Sequence, residues 1–214
     1  MTTFLIGGGR EDDQVAASHA PFVTSCGGGP IVAFALEDPE RWEGALRLAG
    51  AADVRCLLMP PAPENLAGAA GVFVAGGLTP AYQEALARWS LPDGLHYCGF
   101  SAGAAVAARR AIVGGWLREG RPVLDEDFGE ELGEIEIRDG LALVDFAVDV
   151  HAAQWGTLTR LIAAVDAGLV DAGVAIDEGT VLICDDGDEP HVEGLGHAWR
   201  VRTHEGNTVV SVLH

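Results

Sequence analysis

Lysine is absent from this 214-residue chain. All 13 basic residues are arginines, they face 32 Asp and Glu, and the formal net charge is −19. Binding to nucleic acid needs basic patches that neutralise phosphates, so this balance argues against a nucleic-acid partner. Such acidity can steer cationic ligands, but a solvated acidic surface is the simpler reading. Cysteine is scarce: Cys26, Cys56, Cys98 and Cys184 are scattered, with no C-x-x-C pair. That spacing argues against a metal site or a disulfide framework and for buried free thiols in a reducing compartment. Long apolar runs are missing too. The longest, around Ser101 to Val113, is interrupted by Arg109 and Arg110 and is too short to span a bilayer. The N-terminal Met1-Thr2-Thr3-Phe4-Leu5-Ile6 has no basic region and runs into glycines, so it does not read as a signal peptide. The expectation is a cytoplasmic protein with no membrane partner and no metal.

What is present is apolar residues, 49% of the chain, and 29 glycines. That suffices for one α/β core, and residues 1–214 read as a single domain. Short apolar segments alternate with helical ones. Thr3–Ile6 reads as a strand ending in Gly7-Gly8-Gly9, and Ile31–Leu36 as another opened by Gly27-Gly28-Gly29-Pro30. Pro39–Ala49 has helical periodicity, with Trp42, Leu46 and Ala49 on one face. Val54–Met59 and Val72–Ala75 read as strands closed by Pro60-Pro61 and Gly76-Gly77, and Pro80–Trp89 as a helix behind Thr79. This alternation predicts a doubly wound, mostly parallel sheet with helices on both faces. After Ile112 the pattern changes. Residues 124–138 are rich in Asp and Glu and read as a solvated, mobile segment over the active face. Leu141–Val150 is apolar and leads to His151, and Gly156–Ala167 reads as a helix. Strands are expected at Val174–Ile176, Thr180–Cys184, Ala198–Thr203 and Thr208–Val212.

The segment that carries chemistry is Gly99-Phe100-Ser101-Ala102-Gly103, a G-x-S-x-G sequence. Leu95–Phe100 before it reads as a buried strand, and Ala102–Ile112 after it as a helix. A serine between strand and helix sits on a sharp turn that exposes its hydroxyl, and the Ala102 N–H is left free to hold an oxyanion. An activated serine needs a base, and the base needs an orienting acceptor. Of seven histidines, His151 stands out because it ends an apolar strand and precedes a helix. Asp149, Asp177 and Glu178 are all candidates for the acceptor, and physical reasoning alone does not choose among them. Gly7-Gly8-Gly9 lacks the third glycine of G-x-G-x-x-G, and Glu11, Asp12 and Asp13 follow closely, which excludes a phosphate cradle. In an open parallel sheet ligands bind beyond the carboxyl ends of the strands, so Gly7–Gly9, Gly76–Gly77, Ser101 and His151 should share one rim.

In order, the motifs Leu5-Ile6-Gly7-Gly8-Gly9, Val72-Phe73-Val74-Ala75-Gly76-Gly77, Gly99-Phe100-Ser101-Ala102-Gly103-Ala104, Asp149-Val150-His151 and Ala175-Ile176-Asp177-Glu178-Gly179-Thr180 resemble the dipeptidase E (aspartyl dipeptidase) and cyanophycinase group of serine peptidases. The resemblance runs from the N-terminal strand to about Ile183. It implies a class I glutamine amidotransferase-like fold, with Ser101 as nucleophile, His151 as base and Glu178 as the orienting acid. It also implies an oxyanion hole from Gly77 and Ala102, substrate contacts at Gly76, Leu78, Thr79 and Arg160, a small peptide or amide substrate, and no cofactor. The chain departs from the group at Leu78, where a polar residue is usual, and in the run His151–Arg160, which keeps only Arg160 of a basic set. A fixed carboxylate partner is usually a bidentate Arg, so strict Asp-X specificity is not expected. An esterase or acyl transferase would use the same triad, and a non-catalytic small-ligand binder is the remaining alternative. The oligomeric state, a homodimer included, is open.

Overall fold

Five short apolar segments form the parallel core of the molecule. In the computed structural model, which describes residues 1–214 apart from the side chain of Pro63, these are β1 (Thr2–Ile6), β2 (Ile31–Ala35), β3 (Val54–Leu58), β4 (Gly71–Val74) and β5 (His96–Phe100). They are too short for helices and are almost wholly buried, except β3 at the sheet edge. Helices α1 (Asp12–Ser25), α2 (Arg41–Leu48), α3 (Thr79–Leu86) and the single turn α4 (Ala102–Ala105) connect or follow them. Two short hairpin elements come next: β6 (Arg110–Gly114) pairs with β9 (Glu136–Asp139), and β7 (Leu117–Arg118) with β8 (Arg121–Pro122). The chain continues through β10 (Ala147–Val150), α5 (Ala152–Trp155), α6 (Leu158–Asp166), β11 (Ala172–Ile176), β12 (Thr180–Asp185), β13 (His191–Gly194), β14 (Ala198–His204) and β15 (Asn207–Leu213).

The large sheet has the order β13-β12-β1-β5-β4-β2-β3. Its first five strands in sequence run parallel, while β12 and β13 extend it antiparallel beyond β1. The chain moves away from β1 to β2 and β3, then returns to β4 and β5. With right-handed crossovers, α1 and α2 cover one face and α3 and α4 the other. The winding therefore reverses between β1 and β5, which is where an open α/β sheet leaves a crevice at its carboxyl edge. The fold is thus mixed α/β around a mostly parallel sheet with helices on both faces, as the pattern of segments predicts.

Three expectations need correction. The helix over Ala102–Ile112 ends after one turn. The Val106 and Ala107 carbonyls accept from the Leu141 and Leu143 N–H groups (2.8 and 2.9 Å), and Gly140 packs so closely on Val106 and Ala108 that a Cβ there would lie 2.5 and 2.2 Å from their carbonyl oxygens. Tertiary partners thus claim groups that a longer helix would need. The late strands do not simply continue one sheet: β10, β11, β14 and β15 form a second, four-stranded one, against which α6 packs. The acidic 124–138 segment is tied down by its own carboxylates. Glu134 accepts from the Glu119 and Gly120 N–H groups (2.9 and 2.7 Å), Asp125 from Asp127 N–H (3.1 Å) and Glu130 from Thr79 N–H (2.9 Å). Between β1 and β2 the chain forms α1, with Pro21 inside it. No helix among the described residues is long and apolar enough to cross a membrane.

Candidate active site

Register brings the rim together. Ile6 pairs with Phe100 across β1 and β5, and Val150 with Ile176 across β10 and β11. The residues that leave these pairs are Gly7, Ser101, His151 and Asp177-Glu178. The Ser101 N–H donates to the Ile6 carbonyl (2.9 Å) within the large sheet, and the His151 N–H donates to the Gly7 carbonyl (2.8 Å), stitching the two sheets at this point.

Ser101 has φ 51° and ψ −112°, a costly conformation for a residue with a Cβ. The glycines around it allow the turn. A Cβ at Gly99 would lie 2.3 Å from the Gly103 carbonyl oxygen, and one at Gly103 would lie 2.2 Å from that of Val74. The serine hydroxyl stands 2.9 Å from His151 Nε2, and His151 Nδ1 stands 2.7 Å from Glu178 Oε1. His151 is itself left-handed (φ 56°, ψ 39°), which turns its ring back over Gly8; a Cβ at Gly8 would come within 2.1 Å of the imidazole. On its other side the ring stacks on Trp155 at 3.7 Å, and Trp155 stacks on Phe128 at 5.1 Å. Burial lowers the His151 pKa below its ordinary value, and the bond to Glu178 opposes that shift. Burial thus favours the neutral imidazole, the form that can accept a proton.

The other two acids point elsewhere. Asp149 forms a bidentate pair with Arg160 (Oδ1–Nη2 2.7 Å, Oδ2–Nε 2.9 Å), with both side chains buried. Asp177 accepts from the N–H groups of Ala153 and His197 and from the Trp199 indole (3.1, 3.0 and 3.1 Å), tying α5 to β14. Glu178 is held by its own N–H, which donates to Gln154 Oε1 (3.0 Å).

A cleft of about 660 Å³ opens over Ser101 and His151. Gly76, Gly77 and Leu78 line it. Ala102 is fully buried beneath it, and among the described residues neither the Gly77 nor the Ala102 N–H donates to a protein acceptor. Two expected substrate contacts are corrected. Arg160 is committed to Asp149, and its Nη1 donates to the Phe128 carbonyl (3.1 Å), so no guanidinium reaches the cleft from α6. Thr79 is buried, and its N–H is taken by Glu130. Arg10 and Trp155 also line the cleft, as do two residues the motifs do not include, Phe128 and Glu130. The one available signal was Phe128, an isolated aromatic in an acidic run. Among the described residues, five acidic ones, Glu11, Asp127, Glu130, Glu131 and Glu178, line this space against one basic one, Arg10. A smaller pocket of about 280 Å³ adjoins it past Phe100 and Arg10. Among the described residues, no group of three or more His, Cys, Asp and Glu is arranged to hold a metal ion.

No family model and no curated protein matches this chain. Solved structures do. The chain is similar to a peptidase from an acI-B1 Actinobacterium, with a TM-score of 0.62 and 16% identity over 99% of this chain and 96% of that one. It is also similar to a "Putative Peptidase E Protein" from Listeria monocytogenes EGD-e, with a TM-score of 0.55 and 15% identity over 91% of this chain and 98% of that one. The fold is that of Peptidase E-type proteins. At such identities the likeness is one of architecture, and the chemistry must be argued from the side chains.

Proposed function

We propose that the protein is a serine hydrolase that cleaves a small peptide or amide through an acyl-enzyme on Ser101. One observation carries this reading: the continuous Ser101–His151–Glu178 hydrogen-bonded chain, at 2.9 and 2.7 Å, at the floor of an open cleft. Ser101 Oγ attacks the substrate carbonyl carbon as His151 Nε2 takes its proton. Glu178 holds Nδ1–H and stabilises the imidazolium that results. The Gly77 and Ala102 N–H groups hold the oxyanion. Collapse expels the amine, which takes the proton from His151, and water activated by the same imidazole then hydrolyses the acyl-serine. The likeness in fold to two peptidases supports the choice of an amide over other acyl substrates.

Strict preference for an N-terminal Asp is not part of the proposal. With Arg160 committed to Asp149, the cleft offers an acidic side chain only Arg10 among five carboxylates. The test combines fluorophosphonate labelling with turnover of matched Asp-Leu, Ala-Leu and Leu-Leu dipeptides. Ser101→Ala should abolish labelling and lower the rate on the order of 10⁴- to 10⁶-fold in a folded protein. Persistent labelling of that variant would move the nucleophile to another residue. A preference for Asp-Leu of about tenfold or more in kcat/KM, about 1.4 kcal/mol, would restore aspartyl specificity.

A further inference from the structure

The cleft is electrically lopsided, and the lopsidedness has a direction. β1 and β4 flank β5 on opposite sides. His151 is bound to the β1 side, through its N–H to Gly7 and its ring over Gly8. Arg10, the cation lining the cleft, follows that same loop, and its charge acts on His151. A leaving amine must sit beside His151 Nε2 to collect its proton, so the leaving group occupies the β1 side. The acyl part of the substrate then extends toward the β4 side.

Glu130 stands there. Its Oε2 accepts from Thr79 N–H at 2.9 Å, immediately after the Gly76-Gly77-Leu78 turn, and the residue lines the cleft that contains Ser101. Among the described residues, no Arg or His comes within 4 Å of this carboxylate. Arg160, which acts on it from behind, is already held by Asp149 and by the Phe128 carbonyl. Burial raises the Glu130 pKa above the ordinary carboxylate value, and the Thr79 bond and Arg160 offset this only in part. A desolvated carboxylate whose hydrogen bonds among the described residues come from Thr79 alone, on the acyl side of the nucleophile, is poised to bind a cation.

We propose that Glu130 binds the ammonium group of the substrate and so selects peptides with a positive charge on the acyl side of the scissile bond. This rests on Ser101 as the nucleophile. Two sources carry that chemistry: a free α-amine, as in an unblocked dipeptide, or a basic side chain.

Binding to a Ser101→Ala protein, which cannot turn substrate over, tests the proposal by calorimetry. The probes are Ala-Leu, N-acetyl-Ala-Leu and N-acetyl-Lys-Leu. Ala-Leu should bind, and N-acetylation should weaken it about ten- to hundredfold. Adding Glu130→Gln, which keeps an acceptor for Thr79 N–H, should weaken Ala-Leu by the same factor and leave N-acetyl-Ala-Leu unchanged. If N-acetyl-Lys-Leu regains the lost affinity, the side chain is the source of the ammonium and the Glu130 assignment stands. Equal binding of all three probes, an unchanged affinity of the tightest of them in Glu130→Gln, or no binding of any probe at millimolar concentration each overturns it. The readout needs no catalysis. A wild-type protein that binds Ala-Leu through Glu130 but neither labels nor cleaves it would sink the hydrolase reading and leave the ammonium site in place.

Discussion

Three acidic residues lie within reach of His151 in sequence, and their partners give them different work. Glu178 contacts the imidazole, so Glu178→Gln should cost rate and little stability. An amide there favours the wrong imidazole tautomer, which can cost about 10⁴ in kcat. Asp149 contacts Arg160 and no ring nitrogen of His151. Asp149→Asn removes the carboxylate partner of a buried guanidinium, a class of change that costs about 3–5 kcal/mol of stability. Denaturant midpoints and single-turnover rates separate the two outcomes. The expected pattern is a stable, slow Glu178→Gln and a destabilised Asp149→Asn whose folded fraction still turns over. If Asp149→Asn is instead the slower enzyme at full stability, the orienting acid has been misassigned. Strain at Ser101 and His151, both at positive φ, belongs to the same scale, since both are held by N–H bonds to the β1 end at Ile6 and Gly7.

At the scale of elements, the short helix α5 supports the site. Gln154 holds the Glu178 backbone, Ala153 N–H binds Asp177, and Trp155 stacks on the His151 ring. The indole stacks on the imidazole, and in the proposed mechanism it would attract the imidazolium formed as Ser101 loses its proton. Trp155→Leu should therefore lower kcat by about two- to thirtyfold, the range for such a contact, and Trp155→Phe should recover most of it. Loss confined to KM, or no recovery with Phe, would make Trp155 a substrate contact alone. None of this stack was legible in the chain, because Phe128, Trp155 and His151 meet only through tertiary packing. The parallel strands were legible, since β1 to β5 are short, mostly apolar runs bounded at one end by Gly or Pro. So was the nearness of Gly7, Ser101 and His151, which follows from strand ends sharing one edge. The length of α4 was not. An alanine-rich stretch has helical propensity throughout, and only the distant Gly140–Leu143 segment, bonding to Val106 and Ala107, decides where the helix stops. The acidic 124–138 run misled for a related reason. Its composition resembles a solvated strand of chain, yet Glu130 and Glu134 spend their carboxylates on distant backbone N–H groups.

For the whole molecule, the group that couples stability to pH is far from its charged surface. His19 is completely buried in α1, among Phe73, Phe100 and Trp42 of the parallel core. Its Nδ1 lies 3.0 Å from Ser18 Oγ, and its Nε2 has no protein partner among the described residues. Burial lowers its pKa to about 4, from 6.5. The unfolded chain therefore binds a proton here between pH 6.5 and pH 4 that the folded protein refuses. The sign follows directly: the stability associated with neutral His19 is complete above pH 6.5 and is lost as pH falls toward 4. A shift of that size corresponds to about 3 kcal/mol, a large share of a typical domain's stability. His151, also lowered by burial, acts in the same direction, so the wild type alone cannot isolate His19. His19→Phe can. It keeps an aromatic ring against Phe73 and Phe100, and Ser18 still donates to the Gln14 carbonyl (2.7 Å). Urea unfolding at pH 7.5, 6 and 5 should show the wild type losing stability on acidification more steeply than His19→Phe, by up to one proton per molecule unfolded. Parallel curves for the two proteins would mean that His19 is protonated or freely hydrated in the native state, and that the acid sensitivity of this fold lies elsewhere.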